Sequence, residues 1–474
     1  MVFDSYTFIV FILIVTVVHR LLSSWSAQKV WLLGASYVFY AAWNPPFVLL
    51  LMFTTVFDWF IARGLARLEN PRHRRALLIV SLVQSLGLLV FFKYSALFVT
   101  TLTDVAATAG ITLAFAAPDL VLPVGISFYT FHTLSFTIDV YRRVITPGRS
   151  FVDYALYVTF FPSLVAGPIV RAAEFLPQLD EPRRASADQL AWGITHVIMG
   201  LFAKVALADA LLAPIADTVF NDNSPVDTVS AWMGTLAFAG QIFFDFAGYS
   251  ACALGSAMMF GFTLSRNFRF PYAAIGFSDF WRRWHISLSS WLRDYLYVSL
   301  GGNRRGRWRT DVNLMTTMVL GGLWHGASWT FVAWGALHGS YLIIEKQLVG
   351  LFGKHRWPYW PSVRLLLMLV TFVLVCITWV FFRSTSFSQA FRIITSLAGQ
   401  APGAGGQVVT LSMVVVTTTI TLLTLMGHGW LRDHSLEEVQ RRAPAAVRAV
   451  VVAFMLVAIA TASGETRAFI YFQF

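Results

Sequence analysis

The chain has 474 residues, 57% of them hydrophobic and 12% charged, with a mean hydropathy of +0.65. A soluble domain is close to half apolar and a quarter charged, so this composition excludes an ordinary water-soluble enzyme; the recurrence of apolar runs of roughly 20 residues predicts an all-α polytopic membrane protein. The net charge of +11 does not call for nucleic acid, because the short cytoplasmic loops of membrane proteins carry just such an excess of Lys and Arg.

The opening stretch, MVFDSYTFIVFILIVTVVHR, reads as a first span rather than a cleaved leader: Asp4 precedes the apolar run and a basic region ahead of it is missing. Candidate spans cover 6–20, 29–43, 46–62, 76–98, 188–212, 230–262, 312–342, 362–382, 408–428 and 446–462. Shorter apolar pieces at 102–117, 121–138 and 152–169 span, re-enter or lie at the interface. Within them LPVGISF and LVAGPIV carry Gly and Pro that interrupt helices, and irregular backbone at membrane depth is tolerated only where protein or a cavity surrounds it. Asp139 (SFTIDVYRR) and Asp245 (FFDFAGYSACALG) are acids in apolar surroundings. Each either ties helices together or orients a catalytic group. Cys252 and Cys376 sit far apart in apolar runs and read as small buried hydrophobes.

The stretch FSDFWRRWHISLSSWLRDYLYVSLGG, placed on one helix, puts Trp281, Trp284, His285, Leu288, Trp291, Leu292 and Tyr295 on one broad face and Arg282, Arg283 and Arg293 away from it. That predicts an amphipathic helix at the membrane surface or plugging a bundle. Downstream, GGLWHGASWTFVAWGALHG places His325 in an otherwise uncharged apolar run. An ionisable group there is costly and points to function. Histidine, with a pKa near 6.5, suits general-base work on a hydroxyl; a packed histidine with one hydrogen bond is the plainer reading of His285. On a straight helix His338 would point about 220° away from His325, outside any shared site. Neither segment offers a His-Glu-x-x-His pattern or a Cys partner, so no metal site is expected, and no Gly-x-Ser-x-Gly elbow occurs.

Positions 469–474, FIYFQF, hold four aromatic residues and one phenol, Tyr471. From residue 463 the chain reaches roughly 26–29 Å to Tyr471 at full extension. Half of a hydrocarbon core is only about 15 Å, so the tail can fold back to the depth of His325. The plainer reading is an aromatic anchor at the interface.

Taken together, FWRRWHISLSSWLRDYLYVSLGG, GLWHGASWTFVAWGALHG, LPVGISFYTFHTLSFTIDVYR and FFPSLVAGPIVR resemble the membrane-bound O-acyltransferase family, in its bacterial branch of polysaccharide and peptidoglycan O-acetylation and teichoic-acid D-alanyl transfer. The resemblance covers essentially the whole chain and implies a bundle of roughly eleven or more helices around a central passage, with re-entrant or interfacial helices. It treats 1–474 as one membrane domain, with the core motifs at 121–340 and an extracytoplasmic tail at 464–474. It implies His325 as the principal catalytic histidine, His285 as the second, and Tyr471 as a tail tyrosine that relays the acyl group. Arg282, Arg283 and Trp284 are expected on the side of an anionic thioester donor, acetyl-CoA or another acyl thioester. No tightly bound cofactor is implied. The resemblance also implies the bacterial inner membrane, a periplasmic acetyltransferase or esterase-like partner, and a polysaccharide acceptor reached through it. D-alanyl transfer from a carrier protein, acyl transfer to a lipid or lipidated protein, and a transporter without covalent chemistry stay open at this point.

Arginine bias sets the orientation. The basic stretch ARGLARLENPRHRR after the third span is cytoplasmic by this rule, as is RDHSLEEVQRRAPAAVRA before the last, so both termini face the periplasm. A Cys added near residue 2 or 465 should react with an impermeant thiol reagent from outside, and one added in 63–75 should not; the opposite pattern would invert the orientation.

Overall fold

The computed structural model describes residues 1–148, 150–221, 224–352, 360–400, 406–462 and 467–470. Among them the regular structure is helical, with a single parallel bridge between Val226 and Gly406. In chain order the helices are α1 (Tyr6–Leu21), α2 (Trp25–Ala41), α3 (Pro46–Arg67), α4 (Pro71–Leu89), α5 (Ser95–Thr108), α6 (Ile126–Tyr141), α7 (Phe151–Thr159), α8 (Phe161–Leu164), α9 (Ala172–Phe175), α10 (Ala187–Leu201) and α11 (Ala213–Phe220). They continue as α12 (Thr228–Met259), α13 (Phe277–Trp281), α14 (Ile286–Trp291), α15 (Arg307–His325), α16 (Trp329–Phe352), α17 (Pro361–Arg383), α18 (Phe387–Leu397), α19 (Leu411–Leu431), α20 (Leu436–Arg442) and α21 (Ala445–Thr461). The chain widens to π-helix at Val90–Tyr94, Phe202–Leu212 and Leu292–Tyr297.

Among the described residues six stretches are long and apolar enough to cross a bilayer: Pro46–Arg67, Pro71–Thr108, Ala187–Phe220, Thr228–Met259, Pro361–Arg383 and Leu411–Leu431. The pair α20–α21, bent by 120°, adds a seventh if it is one span. The protein is a multi-pass membrane protein. The span expected at 76–98 runs on to Thr108, because the π-turn at Val90–Tyr94 widens the helix without ending it.

The chain packs as two compact units: Met1–Val197 with Cys252–Ser265, and Ile198–Ala251 with Arg266–Phe474. In the first, α6 is buried along nearly its whole length. Gly125, at φ 74°, sits so close to the chain at Leu164 that a Cβ there would lie 2.7 Å from the Leu164 carbonyl oxygen. The two Gly/Pro-bearing segments therefore lie against each other. Their backbone is satisfied internally, as an apolar medium demands: the Val170 N–H donates to His132 Nε2 at 3.1 Å, and the Tyr157 hydroxyl lies 2.9 Å from the His132 carbonyl and 3.2 Å from that of Val170. Asp58 on α3 accepts from Ser81 on α4 at 2.7 Å.

In the second unit the stretch expected as one span at 312–342 is two helices. The chain leaves the helix after His325 at the extended Gly326, and α16 starts at Trp329. The two helices then fold into a hairpin. Small residues allow the close approach: a Cβ on Gly322 would collide with the Phe331 carbonyl, one on Gly335 with the Met318 carbonyl, and one on Gly339 would lie 2.9 Å from the Met315 sulfur. Bare backbone against bare backbone is how membrane helices gain contact without a hydrophobic driving force. Composition misses the break because both arms are apolar.

Gly335→Ala should therefore lower the thermal unfolding midpoint of the detergent-solubilised protein, by the equivalent of roughly 1–3 kcal/mol typical of overpacking. Gly350→Ala is the control: its added carbon meets nothing within 4 Å, so the midpoint should hold or rise.

Candidate active site

His325 is the last residue of α15, at the tip of the hairpin, and is 2% exposed. Its ring lies 5.0 Å from Trp324, 4.9 Å from Trp334 and 5.5 Å from Phe382, centroid to centroid. His285 is fully buried, 4.6 Å from the Phe246 ring on α12 and 5.9 Å from Trp324. The two imidazoles are 6.3 Å apart. The structure thus brings together the two histidines that the sequence singled out, inside one aromatic enclosure.

The route to His285 corrects the sequence reading. Residues 277–297 are not one amphipathic helix but α13, a turn, α14 and a π-helical turn. His285 itself is left-handed, at φ 42° and ψ 54°, a conformation uncommon for residues other than Gly. Hydrogen bonds to a neighbouring loop outweigh helix continuity. Arg269 N–H donates to the Arg283 carbonyl at 2.9 Å, and Ile286 N–H donates to the Asn267 carbonyl at 2.9 Å. The Asn267 side chain accepts from Ser287 Oγ at 2.6 Å and donates to Ser250 Oγ at 3.1 Å. This cross-bracing holds the strained residue in place and points its ring inward.

The residues expected at the donor side separate. Arg282 is exposed. Arg283 is 9% exposed and pairs with Asp279 at 2.9 Å, while Arg432 reaches the other Asp279 oxygen at 2.8 Å. Burial pushes the Asp279 carboxyl up, but the Ile275 N–H and the Arg283 guanidinium, with the Arg432 charge beside them, leave it below its ordinary value. Trp284 is fully buried, with Trp379 at 4.9 Å and Phe268 at 5.1 Å. Arg304 and Arg305 are exposed just ahead of α15, and Arg307 is exposed as its first residue. His338 lies apart from the pair: Thr378 Oγ1 is 3.0 Å from its Nε2 and Trp334 stands between it and His325, with ring centroids 4.7 Å and 4.9 Å away respectively. Asp139 belongs to the first unit, buried on α6.

Asp245, expected either to tie helices together or to orient a catalytic group, is part of a larger cluster. Lys204 Nζ lies 2.8 Å from Asp245 and 2.9 Å from Asp209. Lys204 and Asp209 escaped the sequence reading, although two ionisable residues in the apolar run FAKVALADALL are themselves a signal. The tail returns into this unit as far as it is described. Phe469 is fully buried, its ring 5.6 Å from Phe246 and 4.4 Å from Tyr249. Ile470 is 2% exposed. Tyr471 lies outside the described residues. Among the described residues no group of three or more His, Cys, Asp or Glu could hold a metal ion.

The model of the family "MBOAT, membrane-bound O-acyltransferase family" matches residues 23–388. The chain belongs to the membrane-bound O-acyltransferase family. As a member it is an acyltransferase and uses an acyl donor. It is 42% identical over 400 residues to a probable alginate O-acetylase AlgI of Azotobacter vinelandii, covering 84% of this chain and 78% of the relative. Identity is 41% to the protein of the same name in Pseudomonas aeruginosa, over 84% and 75%. A peptidoglycan O-acetyltransferase of Helicobacter pylori is 35% identical, over 78% of this chain and 74% of the relative. The matched region of this membrane-bound O-acyltransferase contains both histidine segments.

Because Arg283 is bound into a buried ion pair, Arg283→Ala should act on folding. Breaking a buried pair costs roughly 3–5 kcal/mol, and somewhat less here because Asp279 keeps Arg432. The expected result is a fall in folded protein recovered from membranes, with the donor KM of the surviving enzyme unchanged.

Proposed function

We propose that this enzyme takes an acetyl group from a cytoplasmic thioester, acetyl-CoA being the simplest, and moves it across the bacterial inner membrane for O-acetylation of an extracytoplasmic polysaccharide of the alginate or peptidoglycan kind. The observation that carries the reading is the 6.3 Å approach of His285 and His325, in a chain 35–42% identical to relatives named for O-acetyl transfer. D-alanyl transfer is the weaker reading, since a teichoic acid D-alanyltransferase of Bacillus subtilis is 26% identical over 57% of this chain.

In the proposed sequence His325 accepts the phenolic proton of Tyr471 as the phenol oxygen attacks the thioester carbonyl. A C–O bond forms, the C–S bond breaks, and the thiolate leaves with the proton that His325 held. In the second half an acceptor hydroxyl gives its proton to the base, attacks the phenyl ester and frees the Tyr471 hydroxyl. A phenol of pKa about 10 is close to a thiol of about 8.5, so the ester keeps much of the thioester's reactivity and passes its acyl group to a less acidic sugar or serine hydroxyl. His285, braced in its turn, positions the reacting groups. Exposed Arg282, Arg304, Arg305 and Arg307 attract the anionic donor.

The path of the tail supports Tyr471 in this role. Two residues before it, the Phe469 ring packs on Phe246, which packs on His285. A polysaccharide acceptor calls for a periplasmic esterase-like partner that holds the glycan, and with it both termini on the periplasmic side.

His325→Ala should reduce polymer O-acetylation by a factor of roughly 10²–10⁴, the usual contribution of a general base, at normal membrane abundance. Tyr471→Phe keeps the ring and deletes the oxygen, and should do the same. Near-wild-type acetylation in the first variant would reject the base, and in the second the relay.

A further inference from the structure

We propose that Lys204, Asp209 and Asp245 form a buried clasp that docks the backbone of residues 467–470 and sets the register of the residues after them. This deepens the reading above: the docking stands on the contacts themselves, and its purpose rests on Tyr471 as the acyl carrier.

The clasp is built from two helical elements. Lys204 and Asp209 lie on the π-helical stretch Phe202–Leu212, and Asp245 on α12. Wide π-turns displace side chains from the ordinary helical positions and recur at functional sites. The two elements approach closely at Gly248, where a Cβ would lie 2.6 Å from the Gly200 carbonyl and 3.0 Å from the Lys204 nitrogen. Lys204 is 2% exposed as a side chain, Asp245 3% and Asp209 8%.

An ammonium has three N–H donors, and three acceptors surround this one: Asp209 at 2.9 Å, Asp245 at 2.8 Å and the Arg467 backbone carbonyl at 3.1 Å. The other oxygen of Asp245 accepts the Ile470 N–H at 2.7 Å. The tail thus completes the coordination of a buried cation and hydrogen-bonds a buried carboxylate. The Ile470 N–H is thus a donor aimed at a carboxylate that already holds a buried ammonium. Leaving such groups without partners in an apolar interior is costly, so the clasp favours the docked tail.

Side chains add to the grip. The Arg467 guanidinium pairs with Asp217, which also holds Arg383 at 2.8 Å. Phe469 lies against Tyr249, whose ring in turn has the Lys204 ammonium 5.8 Å from its centroid. Because the clasp reads backbone groups, it fixes where the chain sits rather than what the next side chain carries. The residue after Ile470 is Tyr471, so the clasp positions a tyrosine in its free and its acylated form alike. Lys204 and Asp245 are positioning residues.

The test uses the full chain in detergent. Trypsin cuts after Arg467 only when the tail leaves the clasp, and release of the peptide 468–474 is followed by mass spectrometry against cleavage in the exposed loop at Arg305. Proteolysis follows the population of the open form, so Lys204→Met and Asp245→Asn should each speed release by about tenfold or more at an unchanged Arg305 rate. Asp217→Asn, nearer the surface, should give a smaller increase and serves if the buried variants fail to fold. In acyl transfer the clasp variants should lower kcat and leave donor KM unchanged, and Tyr471→Phe should leave release unchanged. Unaltered release in folded clasp variants overturns the clasp whatever their activity. Faster release with undiminished transfer upholds the clasp and rejects the relay.

Discussion

Two helices in a bilayer gain nothing from the hydrophobic effect by touching, since lipid tails are as apolar as leucine; they stay together through close van der Waals contact. The α15–α16 hairpin meets that constraint with glycine at the crossing points, and the rest of the second unit depends on it. Gly322, Gly335 and Gly339 bring the two backbones together, the chain must turn at Gly326, and the turn places His325 at a buried tip rather than midway along a span. A histidine in the middle of a helix would have its backbone groups satisfied by the helix and its ring free to rotate among few wells. At the tip its ring is instead enclosed by Trp324, Trp334 and Phe382.

His285 arrives by a different device, a left-handed residue held by hydrogen bonds to 267–269. A left-handed conformation at a residue with a Cβ has a cost of roughly 1–2 kcal/mol. It persists because the Asn267 side chain and the Arg283–Asp279–Arg432 ion pairs determine the turn from both sides. The two histidines thus stand on separate rigid supports, which is what a site needs if small displacements are to matter.

Polar groups in this protein follow one rule: inside an apolar medium each must find its partner within the chain. His132 serves the Val170 N–H in the first unit, and Asp58 is served by Ser81. In the second unit Lys204 and its two carboxylates turn the same rule toward the tail, whose backbone becomes one of the partners. The need to satisfy a buried cation and the need to hold a terminal segment have the same solution.

Much of the candidate site was legible in the sequence, because its signals are local. RRWH and LWHG each place a histidine among apolar and aromatic neighbours, and an ionisable residue in such a run is unusual whatever the fold. The class of protein and most of the spans were equally legible, since hydropathy and helix length depend only on neighbouring residues. Tertiary structure decided what sequence distance conceals. Periodicity drew 277–302 as one helix, and a loop that hydrogen-bonds to it from 267–269 broke it. Hydropathy drew 312–342 as one span, and the contact of Gly335 with the Met318 carbonyl position, possible only after folding, made it two. Lys204 and Asp209 were visible only as two charges in an apolar run; that Lys204 meets Asp245 and the tail is set by side-chain geometry across a π-helix, α12 and a segment more than two hundred residues away. Local chemistry determines which groups the chain must bury, and only packing decides which of them it buries together.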